Sequence, residues 1–372
     1  MSGSRYFLEA EPTLAAKLER FLARLAADLG AQSFSQGVAA LVLGGGYGRG
    51  EGGVFRATKS GEAQLYNDLE FFIFSTSRAI ATPLTAWCHR WEHQGTRELG
   101  IDVEFKQLPA GVFATAVPTM FYFDLLQGHQ LVWGDPKILS NAPATLRHPT
   151  QIPLSEPVRL LFNRGSGLLF ARWRLEEQPD DPDGFVERNH AKARLALADA
   201  VLAAAGLHDG SCLERSRRIA AANFFKPPFF AQLQEWHTQG VQFKLQPRHL
   251  HPGAAALADE NRELTAVWLE VFLWLESRRL GKAIKNGADY LALSGRLFPH
   301  SSRLRNFSLH VRDLMRRGLA LPGWLDYPRA ALQRALVAAH SVDLSEAAAA
   351  RCVSESRRSW RISYRRWWGL YN

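Results

Sequence analysis

An α/β N-terminal domain followed by an all-α C-terminal domain is the architecture this sequence predicts. Three observations carry it. Before residue 150, apolar runs of strand length alternate with stretches of helical spacing. Between His148 and Pro157 three prolines, Pro149, Pro153 and Pro157, interrupt the pattern. After them the apolar spacing is helical almost throughout. The two domains are therefore expected at 1–150 and 151–372.

The first element is a helix over 13–29. Leu14, Leu18, Phe21, Leu22, Leu25 and Leu29 fall on one stripe, Pro12 precedes it and Gly30 ends it. A short apolar strand over 38–43 runs into the glycine segment GGGYGRGEGG at 44–53. A second strand spans 68–74, within YNDLEFFIF. Leu84, Trp87, Cys88 and Trp91 put a helix at 83–94, and IDVEF opens a third strand at 101–107. Residues 119–126 read as helix and 131–133 as strand. Asp135-Pro136 has the form of a helix cap followed by proline.

In the second half, helices are expected over 155–176 and over 185–205, the latter closed by Gly206. Ser211-x-x-Glu214 matches a capping box and opens a third. Leu264, Val267, Trp268, Val271, Phe272 and Leu275 mark a core-facing helix over 260–280. Further helices are expected over 302–317, over 330–339 and from 345 onward. The Pro-broken aromatic segment 223–230 reads as a core plug.

The chemistry concentrates in two places. A glycine turn lets backbone N–H groups approach phosphate oxygens without a Cβ in the way. The strand after it carries Asp68 and Glu70, and alternation sends both to one face, about 6.5 Å apart along the chain. Leu69 and Phe71 point the other way. Asp102 and Glu104 repeat the arrangement on the third strand. Carboxylates sharing an exposed face suit a hard cation bound against a triphosphate better than they suit a core.

A strand ending in Gly-Gly, then Asp-x-Glu on the next strand, then another carboxylate on a later strand, resembles the DNA polymerase β-like nucleotidyltransferase superfamily. GGYGRGE looks particularly like the turn of bacterial uridylyltransferases and of other bacterial nucleotidyltransferase-domain proteins. The likeness covers roughly residues 36–150 and is faint beyond. It implies a short mixed sheet flanked by helices and an NTP donor bound at Gly45 and Gly46. It also implies Mg²⁺ or Mn²⁺ held by Asp68 and Glu70, with Asp102 or Glu104 as the third carboxylate and Asp102 slightly favoured as the metal ligand. The reaction implied is transfer of an NMP to a hydroxyl acceptor with release of pyrophosphate. Two features depart from the family pattern. Glu70 stands where Asp is commoner, and the interval from Gly46 to Asp68 is long, so 54–65 is expected to form a loop or hairpin.

Around this centre, Arg49 is a candidate phosphate contact, Glu51 a candidate to orient it, and Tyr47 a candidate to pack under the turn. Arg164 and Lys192, beside the small residues 165–167 and in the NHAKA segment, are candidates to reach triphosphate oxygens. Arg305 and His310 have the spacing of a ribonuclease motif, a pattern that also arises by chance in a chain with 36 Arg and 12 His. At the C-terminal end, Arg357, Arg361 and Arg365 recur beside Trp360, Tyr364 and Trp368. That is a docked aromatic helix with solvated arginines, an RNA contact built on Arg and stacking, or a contact with an anionic membrane surface.

Composition limits the classes. The chain has 372 residues, 47% hydrophobic and 22% charged, as expected of a globular protein of two domains. No apolar run is long enough to span a bilayer, and the N-terminus lacks the layout of a signal peptide. Cys88, Cys212 and Cys352 have no disulfide or zinc spacing, which points to a reducing cytoplasm. The net charge of +9 divides as −1 over 1–150 and +10 over 151–372, which favours an anionic acceptor. That acceptor is a small molecule, a protein or RNA. Two other readings share the fold: an inactive nucleotide- or RNA-binding protein, and an antitoxin-type transferase acting on one partner protein.

Overall fold

A computed structural model describes residues 5–57, 61–181, 183–222, 230–317, 321–353 and 359–372. In chain order the first elements are α1 (Pro12–Gly30), β1 (Val38–Leu43), the single turn α2 (Gly45–Gly48), β2 (Val54–Phe55), β3 (Gln64–Leu65) and β4 (Leu69–Ser75). Then come α3 (Ala81–Leu99), β5 (Val103–Pro109), α4 (Met120–Gln127), β6 (Gln130–Gly134) and α5 (Lys137–Ser140). The long helices α6 (Ser155–Glu177) and α7 (Phe185–Ala204) follow, then α8 (Cys212–Ala221), α9 (Phe230–Leu245) and α10 (Ala254–Leu280). The chain ends in α11 (Gly287–Leu291), α12 (Arg303–Arg317), α13 (Arg329–His340), α14 (Glu346–Val353) and α15 (Trp360–Tyr371).

Contacts gather the chain into two compact units, each made of two stretches. The first comprises Met1–Glu156 and Leu202–Leu250, and the second Pro157–Val201 and His251–Asn372. A single cut near residue 150 therefore does not describe the division: α8 and α9 belong with the sheet. The physical reason is a buried polar tie between the glycine segment and these two helices, described below.

The sheet of the first unit has the order β5-β4-β1-β6. β1 is antiparallel to both β4 and β6, whereas β4 and β5 run parallel, so the sheet is mixed. Alternation gives it two apolar faces. Leu41, Leu43, Leu69, Phe71 and Ile73 meet Leu18, Phe21 and Leu25 of α1 and Leu84, Trp87 and Trp91 of α3. Ala40, Val42, Phe72 and Phe74 meet Phe113, Leu125, Leu126, Leu139 and Leu146. β2 and β3 form a separate antiparallel pair, the stem of a hairpin within the interval expected to loop. Its tip, 58–60, lies outside the described residues.

Most helices sit where periodicity puts them. Thr119 caps α4 and Ser211 caps α8 through their side-chain oxygens. The Leu264–Leu275 stripe of α10 is buried throughout. α9 and α11 have no strong one-sided pattern in the sequence and were not expected. The aromatic segment read as a core plug lies outside the described residues but for Phe230, which is buried at the start of α9.

In the second unit Gly165 and Gly167 permit close packing. A Cβ at the first would lie 2.4 Å from the Trp268 ring of α10, and one at the second 2.5 Å from Asn189 of α7. Among the described residues no helix is long and apolar enough to cross a membrane.

Candidate functional site

The site is built where β1 ends and β4 and β5 begin. Gly44 N–H donates to the Glu70 carbonyl at 2.9 Å, the last bond of the β1–β4 ladder. The chain then turns sharply at Gly45, whose φ of +62° lies in the left-handed region. A Cβ there would come 2.6 Å from Glu70 Oε2, so glycine is what lets the turn lie against that carboxylate. Gly46 accepts from Glu51 N–H at 2.8 Å, which closes the turn behind it.

Tyr47 does pack under the turn, and it is fully buried there. Its ring meets Phe7 edge-on at 5.7 Å. Its hydroxyl donates to the Gly53 carbonyl at 3.0 Å and accepts from Tyr66 N–H at 3.1 Å. Burial raises this phenol above its ordinary value, so it stays protonated. Gly53 N–H in turn donates to Asn67 Oδ1 at 2.6 Å. Tyr47 and Asn67 thus tie the glycine segment to the residues just ahead of Asp68. A buried scaffold, and not a ligand contact, is the place of Tyr47.

The parallel register sets Glu70 beside Glu104 and Phe72 beside Lys106. One carboxylate oxygen from each of Asp68, Glu70 and Glu104 can be chosen so that all three lie within 4.8 Å of one another. Asp102 is not among these three. β5 starts at Val103, one residue after Asp102, whose carbonyl accepts from Leu69 N–H at 2.9 Å. Asp102 therefore stands at the mouth of the strand pair, and Glu104 completes the cluster, where the sequence left the choice open with a lean to Asp102. Burial raises the Glu104 carboxyl above its ordinary value, Lys106 opposes this, and the charges of Asp68, Glu70 and Asp102 add to it.

Lys106 is the residue that motif reading passed over. Its Nζ lies 2.8 Å from Glu70 Oε1 and 3.9 Å from Glu104 Oε2. Burial would lower this ammonium's pKa, but the hydrogen bond and charge of Glu70, then Glu104 and Asp68, outweigh it and the net direction is up. The signal was present in the sequence. IDVEFK places Asp102, Glu104 and Lys106 at every second position, so they share a face.

Glu51 does not orient Arg49. It is 3% exposed and turns to α8 and α9. Its carboxylate accepts from Ser211 Oγ at 2.7 Å and from Cys212 N–H at 3.0 Å, and pairs with Lys244 Nζ at 3.1 Å. Burial alone would raise its pKa. The Lys244 charge, the Ser211 hydroxyl and the Cys212 N–H prevail and hold it down at about 2. Arg49 instead lies along Gly128, where a Cβ would meet its Cγ at 2.5 Å. With His208 and Arg215 it lowers the pKa of Asp124, against the effect of burial.

The remaining candidates lie in the second unit. Arg164 is on α6 and Lys192 on α7. His310 is a core histidine, 1% exposed, stacked on Trp324 and within 3.2 Å of the Asp326 carbonyl. Burial lowers its pKa, and a ribonuclease role is not what its surroundings suit. In α15, Trp360, Tyr364 and Trp367 are buried. Arg361 pairs with Glu176 and with Glu346, the latter at 3.1 Å, and Arg365 approaches Glu177 at 3.8 Å. The docked-helix reading of the tail holds for Trp360 and Tyr364, whereas Trp368 is half-buried with its ring edge-on to Phe170 at 5.3 Å. Arg357 lies outside the described residues.

A direct check of the turn is Gly45→Ala. We expect a stability loss of about 1–2 kcal/mol from the left-handed backbone and displacement of the Glu70 carboxylate. Thermal unfolding and Mn²⁺ binding would report the two effects separately. Unchanged Mn²⁺ affinity would show that the turn does not set the carboxylate's position.

Compared with protein-family models the chain matches none, and no curated protein matches it.

Proposed function

We propose that this chain is a divalent-metal-dependent nucleotidyltransferase that moves an NMP from an NTP to a hydroxyl acceptor. The observation that carries this reading is the gathering of Asp68, Glu70 and Glu104 within 4.8 Å beside the Gly45 turn. Three carboxylates and no sulfur or nitrogen donor make a set suited to Mg²⁺ or Mn²⁺. The cradle fits as well, since the space beside Glu70 exists only because residue 45 has no Cβ.

Asp68, Glu70 and Glu104 would hold the ion, which when bound supplies positive charge to the attacking and leaving oxygens. The Gly45–Gly46 turn would let the donor's phosphates approach the backbone. In the transfer, the acceptor oxygen bonds to the α-phosphorus and the bond from that phosphorus to the bridging oxygen breaks. Pyrophosphate leaves with that electron pair. The acceptor's proton passes to a base, and a carboxylate of the Asp102–Glu104 pair that is not engaged with the ion would take it. The remaining parts of the centre are scaffold: Tyr47 and Asn67 hold the turn to the strand, and Glu51 holds it to α8 and α9.

For the acceptor, the net charge of +10 over 151–372 favours an anionic compound over a cationic one. The test is to incubate the purified protein with each α-labelled NTP and Mg²⁺ or Mn²⁺, alone and with cell lysate. Pyrophosphate release with label on RNA, protein or a small molecule supports the proposal and identifies the acceptor class. Label confined to one protein would mark a partner-specific, antitoxin-type transferase. Nucleotide binding without pyrophosphate release under any of these conditions would overturn catalysis in favour of a binding role.

A further inference from the structure

We infer that Lys106 is a resident counter-ion of the carboxylate cluster, which a divalent cation must displace in order to bind. The inference rests on the metal-site reading of Asp68, Glu70 and Glu104 and adds a control to it. Four observations support it. The ammonium is bonded to Glu70 at 2.8 Å and lies 3.9 Å from Glu104, so it engages two of the three acids. It stands on the same strand face as Glu104 and beside Phe72, whose ring its Nζ overlies at 5.6 Å. Its side chain is 45% exposed, which leaves it a path outward on a flexible four-carbon stem. Finally, three clustered carboxylates repel one another, and Lys106 offsets this for Glu70 and Glu104.

A thermodynamic consequence follows. Cation and ammonium compete for Glu70, so the affinity for metal alone is lowered by the free energy of the lysine pair. A bound triphosphate gives the released ammonium a new anionic partner. Metal and nucleotide should then bind cooperatively, and by reciprocity each should raise the other's affinity by the same factor. The site would bind free cations more weakly than the cation that arrives with its nucleotide.

The test is Mn²⁺ binding to the full chain, followed by the electron paramagnetic resonance of the free ion, for the wild type, Lys106→Gln, Lys106→Arg and Asp68→Asn. Thermal unfolding of each variant confirms that it is folded. Lys106→Gln should bind Mn²⁺ about tenfold more tightly than wild type. Lys106→Arg, which keeps the charge, should remain near wild type. Asp68→Asn should weaken or abolish binding. Equal affinities for wild type and Lys106→Gln, both lost in Asp68→Asn, would overturn the counter-ion role and leave the metal site standing. Absence of binding in both wild type and Lys106→Gln would overturn the metal site itself, and the inference with it.

Discussion

Replacing Asp68 by alanine is expected to abolish NMP transfer from every NTP while leaving the fold intact. The loss should be on the order of a thousandfold, about 4 kcal/mol of transition-state stabilisation. Stability should change by no more than about 0.5 kcal/mol, because Asp68 is an exposed residue ahead of β4. The informative comparison is with the other two acids of the third-carboxylate pair. Glu104→Ala should lose activity on a similar scale, whereas Asp102→Ala should lose far less, since its carboxylate is not one of the three that gather. Initial rates of pyrophosphate release, measured with thermal unfolding, would decide. An active Asp68→Ala protein would sink the proposed function. An Asp102→Ala defect larger than that of Glu104→Ala would sink the assignment of the third ligand.

Glu51→Ala is expected to produce the largest loss of stability. Removing this carboxylate leaves Lys244, 17% exposed, without its partner and takes away the acceptor for Ser211 Oγ and Cys212 N–H at the start of α8. Breaking a buried pair from one side costs about 3–5 kcal/mol. The same residue gives the first unit a pH dependence of defined sign. The folded-state pKa is depressed to about 2 from an ordinary 4.5, so the contribution is complete above about pH 4.5 and is lost as the pH falls towards 2. At roughly 1.4 kcal/mol per unit this amounts to about 3 kcal/mol. Urea unfolding followed at a series of pH values should show the acid-side slope in the wild type and a flatter one in Glu51→Gln. A Glu51→Ala midpoint within experimental error of wild type would mean that the tie does not hold α8 and α9 to the glycine segment.

The two expectations differ in where they were legible. Asp68 and Glu70 could be found by alternation within seven residues, because a strand sends every second side chain to one face whatever surrounds it. Glu51 could not be understood in that way. Its partners are Ser211, Cys212 and Lys244, about 160 to 190 positions along the chain, and nothing local distinguishes it from a surface acid in a glycine loop. The pairing of Arg49 with Glu51 fails for the same reason. The nearest opposite charge in sequence is Glu51, but the fold gives Glu51 to Lys244 and sets Arg49 near Asp124. The tail was legible as three readings of one pattern. Burial of Trp360, Tyr364 and Trp367, with Arg361 paired to Glu176 and Glu346, selects the docked one.

By itself the sequence determined the parts that depend on short-range geometry. These are the strand over 38–43, the glycine turn, the acidic strands, the cap at Ser211, and the core stripes of α1 and α10. Local sterics and the periods of strand and helix suffice for each. Tertiary structure alone decided which of those parts meet. The parallel register of β4 and β5 puts Glu70 beside Glu104 and brings Lys106 onto the cluster, while Asp102 is left at the strand mouth. Register is set by two apolar faces buried against α1, α3 and α4, and that burial is a property of the whole first unit. The glycine turn and the acids could be read one at a time, but the site they form is a long-range product of packing.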